Sequence, residues 1–285
     1  MLDLNLFETQ EECAWCPGCG DFAILAALKQ ALAELDIKPH EIVMSSGIGQ
    51  AAKTPHYINV NGFNGLHGRA VPPAVGIKLA NKDLKVIINS GDGDSYGEGG
   101  NHLLHNIRKN IDITHFVHDN QIYGLTKGQG SPTTDKGQKT SMQLDGTMID
   151  AFRPLAFAIT AGATFVARSF SGDKEHLVSI MKQAILHKGY SLVDILQPCV
   201  TFNHVNTFKW YKENTYKLGV DYDPTNKGES LKKAMEWDNG IPLGIIYKEE
   251  RDEYTDTLSY ITKEKPLINR KWEPQYARKF MKDFM

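Results

Sequence analysis

The chain has 285 residues and a formal net charge of −2, with 41% hydrophobic and 23% charged residues. That is enough apolar material for a full core in one large α/β domain or two small ones, and it reads as one domain plus a tail. The near-neutral balance gives no reason to expect nucleic acid or an anionic membrane as a partner, and no run reaches the roughly 18 apolar residues of a spanning helix. The acidic start, MLDLNLFETQEE, lacks the apolar stretch of a secretion signal, so a cytoplasmic location is expected.

Three cysteines, Cys13, Cys16 and Cys19, follow at successive C-x-x-C spacings, and the fourth, Cys199, lies far along the chain. Without a secretion signal, such clustering argues for metal rather than disulfides. Four thiolates suit zinc and an iron–sulfur cluster equally well on spacing alone. Leu25, Leu28, Leu32 and Leu35 predict a helix over 20–36, directly after the cysteine loop. A short strand is expected from Glu41 to Met44, then a small-residue turn from Ser45 to Gln50. Asn59 to Gly68 reads as a loop, and Pro72 and Pro73 suit the first turn of a helix ending near Asn81, with His67 and Arg69 just before it.

The apolar, β-branched run Val86 to Ile88 leads into Gly91, Asp92, Gly93 and Asp94, and a second strand-like run, Ile113 to Val117, ends on Asp119 and Asn120. In an open parallel sheet the strand ends form the ligand crevice, and glycines let backbone N–H groups approach an anion. The anion expected is a diphosphate. Since it would repel Asp92, magnesium is expected between them, held by Asp92, Asn120 and the backbone carbonyl of Ile122. His102 and His105, on the intervening helix, read as helix-face residues.

Thr126 to Gly146 is polar and glycine-rich, and it is long enough to be an ordered loop over the cofactor. A helix near Met148 to Thr160, a strand near Thr164 to Arg168, a helix from Asp173 to His187 and a strand from Ser191 to Leu196 continue the alternation. The expected fold class is α/β, a doubly wound and mainly parallel sheet over residues 1–203, followed by an irregular extension over 204–285. That extension carries one apolar run, Ile241 to Tyr247, and a basic tail with Lys263, Lys265, Arg270, Lys271, Arg278, Lys279 and Lys282. The tail reads equally as a solvated arm or as a surface for an acidic carrier protein or a partner subunit.

GDG followed by N-Q-I-Y-G resembles the thiamine diphosphate signature, and the fold is then expected to be the diphosphate-binding type. With WCPGCGD, GIGQ, LHGRA and YGLTKGQGSPTT, the chain resembles the beta subunits of the 2-oxoacid:ferredoxin oxidoreductases over roughly its first 200 residues. The resemblance implies oxidative decarboxylation of a 2-oxoacid, transfer of the acyl group to coenzyme A, and one-electron transfers through a 4Fe-4S cluster to ferredoxin. By position, Ile48, Gly49, Gln50 and Ala51 line the thiamine, Gly93 and Asp94 approach its diphosphate, and Gly124 and Leu125 close the site.

Lys53 and Lys127 are candidate cations for a substrate carboxylate, which favours 2-oxoglutarate slightly over pyruvate. His67 is a candidate for contact with the cofactor or the reacting carbonyl. The resemblance tips the cysteines toward a 4Fe-4S cluster held by Cys13, Cys16, Cys19 and Cys199. Much of the family has a ligating cysteine directly after the GIG turn; here that position is Gln50, and Cys13 is the expected replacement. Enzymes of this kind need a second domain for the aminopyrimidine ring, so an alpha-type subunit is expected, in a heterodimer or a dimer of heterodimers. The alternatives are a non-oxidative thiamine-dependent decarboxylase or carboligase subunit and a zinc-binding interaction module.

Overall fold

The computed structural model describes every residue except 263, 264 and 272. Strands β1 (Ile42–Ser46), β2 (Asn61–Asn64), β3 (Lys85–Gly91), β4 (Ile113–Asp119), β7 (Phe165–Phe170), β8 (Tyr190–Leu196), β9 (Thr215–Lys217) and β10 (Ile241–Lys248) form one sheet in the order β2-β1-β3-β4-β8-β7-β10-β9. Two short strands, β5 (Ile122–Tyr123) and β6 (Gln129–Gly130), pair separately. Every pairing in the large sheet is parallel except β7 with β10.

Helices cover both faces, so the central strands are apolar on both sides and their residues divide between two cores. Ile87, Phe116, Ala167 and Ile195 pack with α1 (Gly20–Glu34) and α5 (Lys174–Leu186). Val86, Ile88, Val117, Val166 and Leu192 pack with α2 (Val71–Ala80), α3 (Gly100–Lys109), α4 (Pro154–Ala161) and α7 (Lys227–Met235). This two-sided burial is why the strands read as continuous apolar runs rather than alternating ones. The chain leaves β1 to one side, for β2, and returns on the other, at β3. A crevice therefore opens above the carboxyl ends of β1 and β3.

Three boundaries differ from expectation. The segment 59–68 contains the edge strand β2, whose four residues are all exposed. The helix expected near Met148 starts at Pro154 instead, because proline supplies the first helical position and biases the residue before it away from helical geometry. Past residue 203 the sheet continues through β9 and β10, while the two-turn helix α6 (Phe208–Asn214) buries Tyr211 against Phe170 and Trp237. Short helices α8 (Ser259–Thr262) and α9 (Pro274–Met281) follow. In the basic tail Lys271, Arg278 and Lys282 are exposed, whereas Lys263 and the side chain of Lys279 lie outside the described residues.

Candidate active site

One cavity above β1, β3 and β4 is lined by Ile48, Gly49, Gln50, Ala51, His67, Gly91, Asp92, Gly93, Asp94, Asn120, Ile122, Gly124 and Leu125, together with Tyr123 and Thr126. The structure thus unites all the expected cofactor and magnesium residues, and His67. A Cβ built on Gly49 meets nothing within 4 Å, and on Gly91 and Gly124 nothing closer than 4.0 and 3.9 Å, so open space lies directly over this backbone. That is the cradle a diphosphate-bearing ligand requires.

Asp92 is fully buried, and its Oδ2 accepts from Ser131 Oγ at 2.5 Å and Thr133 Oγ1 at 2.7 Å. Burial pushes its carboxyl up to about 6, against the pull of those two hydroxyls. Thr133 Oγ1 also lies 2.7 Å from Asp119 Oδ1. One hydroxyl proton cannot serve two carboxylates, so the second contact needs a proton on a carboxyl. Asp119 is the group to carry it, since burial and then the charges of Asp194 and Asp92 raise it well above the usual range. The buried guanidinium of Arg168, 3.1 Å from Asp194 Oδ2, is the one cation among the described residues beside Asp194, Asp92 and the protonated Asp119, which leaves a net negative charge there. A divalent cation beside Asp92 fits such an excess of buried negative charge.

Asn120 is fixed at both ends: Ile122 N donates to its Oδ1 at 3.0 Å, and its Nδ2 donates to Gln197 Oε1 at 2.9 Å. The Oδ1 keeps a second lone pair for a metal. Asp94 latches loops together, since its Oδ1 accepts from Ile48 N at 3.0 Å and Gly68 N at 2.7 Å, while its Oδ2 is buried without a hydrogen-bond partner among the described residues. Beneath the glycine loop, His115 Nε2 meets Ser90 Oγ at 2.8 Å and Ser95 Oγ at 3.0 Å, and its Nδ1 meets Tyr190 Oη at 2.8 Å. Burial lowers His115 to about 3, so it is a neutral brace for the loop.

A second cavity is lined by Cys16, Cys19, Cys199, Trp15, Asp21, Val200 and Phe202, and it shares Gln50, Asn120 and Gly124 with the first. Three of the four cysteines are therefore brought together. Cys13 lies outside this lining, half-buried against the core, and burial, with Glu8 opposing Lys29, raises its thiol. Burial also pushes Cys19 far up, the Asp21 carboxylate adding to it, so iron or zinc binding there must displace a proton. Among the described residues no three His, Cys, Asp or Glu side chains converge tightly enough for a single metal ion. Trp15 Nε1 donates to the Gln50 carbonyl at 2.9 Å, pinning the cysteine loop to the turn after β1.

Lys53 is half-buried and Lys127 exposed, and neither lines the first cavity. His67 sits at the rim, its Nε2 3.4 Å from Glu98 Oε2. His102 and His105 lie on α3 outside both cavities. Sequence reasoning assigned no role to Ser131, Thr133, Tyr123, Glu98 or Gln197. The first three stand in the thiamine motifs, which was the available signal, whereas Glu98 and Gln197 carry none.

The fold and this pair of cavities define a thiamine diphosphate enzyme: residues 41–195 match the model for the thiamine pyrophosphate enzyme C-terminal TPP binding domain. Residues 199–263 match that for the C-terminal part of the pyruvate ferredoxin oxidoreductase beta chain. The protein is 47% identical over 265 residues to the Aeropyrum pernix 2-oxoacid:ferredoxin oxidoreductase 1 subunit beta, covering 89% of this chain and 83% of that one. It is 33% identical to the Methanocaldococcus jannaschii 2-oxoglutarate synthase subunit KorB, over 86% and 90% of the two chains. Its structure matches a chain of the Magnetococcus marinus 2-oxoglutarate:ferredoxin oxidoreductase, solved with 2-oxoglutarate, coenzyme A and succinyl-CoA bound, at a TM-score of 0.92. The identity is 32%, with 98% of this chain and 96% of that one covered. The chain belongs to the beta subunits of the 2-oxoacid:ferredoxin oxidoreductases, enzymes that act with an alpha subunit. This removes the reading as a non-enzymatic zinc module. No helix among the described residues is long and apolar enough to cross a membrane.

Proposed function

We propose that this subunit, assembled with its alpha-type partner in the cytoplasm as a heterodimer or dimer of heterodimers, decarboxylates 2-oxoglutarate in preference to pyruvate. The acyl group passes to coenzyme A, and the electrons leave singly through a 4Fe-4S cluster to ferredoxin. The observation that carries this reading is the wall of Gln50, Asn120 and Gly124 common to the cofactor cavity and the cysteine cavity. A redox group in the second cavity lies one residue's thickness from the first. That adjacency serves electron exit, which a simple decarboxylase does not need.

Bound thiamine diphosphate supplies the nucleophilic carbon and the electron sink for decarboxylation; the protein supplies position and charge. Asp92, Asn120 and the Ile122 carbonyl would hold magnesium, and the open backbone at Gly49, Gly91 and Gly124 leaves room for the diphosphate beside Gly93 and Asp94. Ile48, Gly49, Gln50, Ala51 and Leu125 enclose the ring, with His67 at the mouth. Cys16, Cys19 and Cys199 would hold the cluster, with Cys13, on the same loop as Cys16 and Cys19, as the fourth ligand.

Three thiols spread around one cavity suit a polynuclear group better than a lone zinc, whose thiolates stand about 3.8 Å apart on bonds of about 2.3 Å. The preference for 2-oxoglutarate rests on relatives named for 2-oxoglutarate, since Lys53 and Lys127 lie outside the cavity lining. The test is anaerobic co-purification with the alpha-type subunit, followed by iron and sulfide analysis and ferredoxin reduction with 2-oxoglutarate, pyruvate and a branched 2-oxoacid. Coenzyme A-dependent ferredoxin reduction by an iron-bearing complex, fastest with 2-oxoglutarate, is expected. Zinc in place of iron, or aldehyde release without ferredoxin reduction, would sink the proposal.

A further inference from the structure

We infer that Gln197 is a positioning residue that couples the magnesium–diphosphate centre to the electron-exit cluster. This rests on the reading of Asn120 as a magnesium ligand and of Cys19 as a cluster ligand. Gln197 follows β8, is 1% exposed, and lines the cavity that holds Cys16, Cys19 and Cys199. Its Oε1 accepts from Asn120 Nδ2 at 2.9 Å; its Nε2 donates to Cys19 Sγ at 3.3 Å and to the Pro198 carbonyl at 2.9 Å. Its backbone N donates to the Asp119 carbonyl at 2.9 Å, tying it to the end of β4.

These bonds have a fixed direction. The Pro198 carbonyl accepts only, so it dictates which end of the Gln197 amide is the nitrogen. The Gln197 oxygen then demands a donor, and the Asn120 amide must turn its nitrogen that way. The Asn120 oxygen is left facing Ile122 and the cofactor cavity, as a metal ligand there requires. At the other end, an N–H donor to a ligating sulfur favours the more negative, reduced form of a cluster and raises its potential. The cysteine loop is shaped around this amide. A Cβ on Gly20 would lie 2.9 Å from Gln197 Cγ and 3.2 Å from its Nε2, so the residue after Cys19 has to be small.

The experiment compares Gln197→Met and Gln197→Glu with the wild type, all as the anaerobic complex with the alpha-type subunit. It reads the magnesium dependence of thiamine diphosphate binding and the midpoint potential of the cluster. Gln197→Met keeps length and packing but has neither donor nor amide acceptor. It is expected to need roughly tenfold more magnesium for cofactor binding, and its cluster should reduce at a more negative potential. Gln197→Glu, with its buried carboxyl protonated, keeps an acceptor for Asn120 and a donor for the Pro198 carbonyl, so its magnesium dependence should stay near wild type while loss of the N–H to Cys19 Sγ still moves its potential negative. A folded, iron-loaded Gln197→Met protein with wild-type values for both would overturn the inference, because a merely structural residue lowers the melting temperature without moving either. Absence of iron from the wild type would overturn the cluster reading and with it the Cys19 half. The Asn120 half is decided by the magnesium titration alone.

Discussion

Asp92→Asn offers the sharpest test of the cofactor site, because it removes a charge and little else. The side chain is fully buried, and Ser131 and Thr133 already donate to its Oδ2 at 2.5 and 2.7 Å. The amide oxygen of asparagine can accept from the same two hydroxyls, so the apo fold should hold. What changes is the attraction for magnesium. A divalent and a single charge about 4 Å apart at an effective dielectric of about 20 attract by roughly 8 kcal/mol before any solvation cost. The carboxylate is desolvated by the fold itself, so the remaining cost falls on the ion. If a quarter to a half of the gross attraction survives, the carboxylate contributes about 2–4 kcal/mol, or roughly 30- to 1,000-fold in magnesium affinity.

The assay is thermal unfolding of the complex at fixed magnesium, with and without thiamine diphosphate. A ligand at about 100 times its dissociation constant stabilises by about 2.7 kcal/mol, a rise of roughly 4–5 °C for a chain of this size. Wild type should show that rise. Asp92→Asn should show almost none, with an apo melting temperature close to wild type. An equal cofactor-dependent rise in the variant at the same magnesium concentration would refute the assignment.

Gly49 has φ +138° and faces empty space, so Gly49→Ala should cost about 1–3 kcal/mol in backbone strain and weaken thiamine diphosphate by roughly tenfold, read by isothermal titration. His115 is held neutral in the fold at about 3 against an ordinary 6.5; its folded value is depressed, so stability is present above pH 6.5 and lost as pH falls toward 3. The difference of 3.5 units caps this loss at about 5 kcal/mol, and His115→Gln should flatten the acid limb of urea stability over that window. Cys19→Ser and Cys199→Ser should abolish the cluster. Cys13→Ser should lower iron per chain and change the paramagnetic resonance of the reduced protein, and an unchanged cluster there would make Cys13 a bystander.

The buried parallel strands were legible because both their faces are apolar, which leaves uninterrupted runs such as Val86 to Ile88. The glycine loop was legible for a different reason: Gly49, Gly91 and Gly124 stand where the backbone itself borders the cavity, and such a demand is local in sequence. Strand β2 was not, since an exposed edge of Asn, Gly and Phe has no pattern to betray it. Nor were the polar partnerships. His115 reads as one of several polar residues in β4, and only the fold brings Ser90 and Tyr190 from neighbouring strands, and Ser95 from the segment after β3, to its ring. Gln197 and Asn120 are neighbours because β8 pairs with β4, a contact between distant segments that no local motif encodes.

Gln50 shows how a single replacement can shift a burden from one loop to another. In much of the family resembled, a cysteine at this turn would be a cluster ligand built into the wall itself. Here the wall holds an amide whose Oε1 is buried without a hydrogen-bond partner among the described residues, and its backbone carbonyl accepts from Trp15 Nε1. On the proposed cluster reading, the fourth ligand is then supplied by another residue. Cys13 is the one remaining cysteine, and it sits on the same short loop as Trp15, Cys16 and Cys19. Ligation by Cys13 on the proposed reading would bear on Trp15, and through its bond to the Gln50 carbonyl on the turn that carries Ile48 and Gly49. On the proposed reading, cluster assembly and the shape of the thiamine cavity are linked through the Trp15–Gln50 hydrogen bond. Restoring a cysteine at position 50 should break that link: Gln50→Cys combined with Cys13→Ser is expected to recover the iron that Cys13→Ser alone loses. If the double variant stays as iron-poor as the single one, the wall at position 50 is not within reach of the cluster.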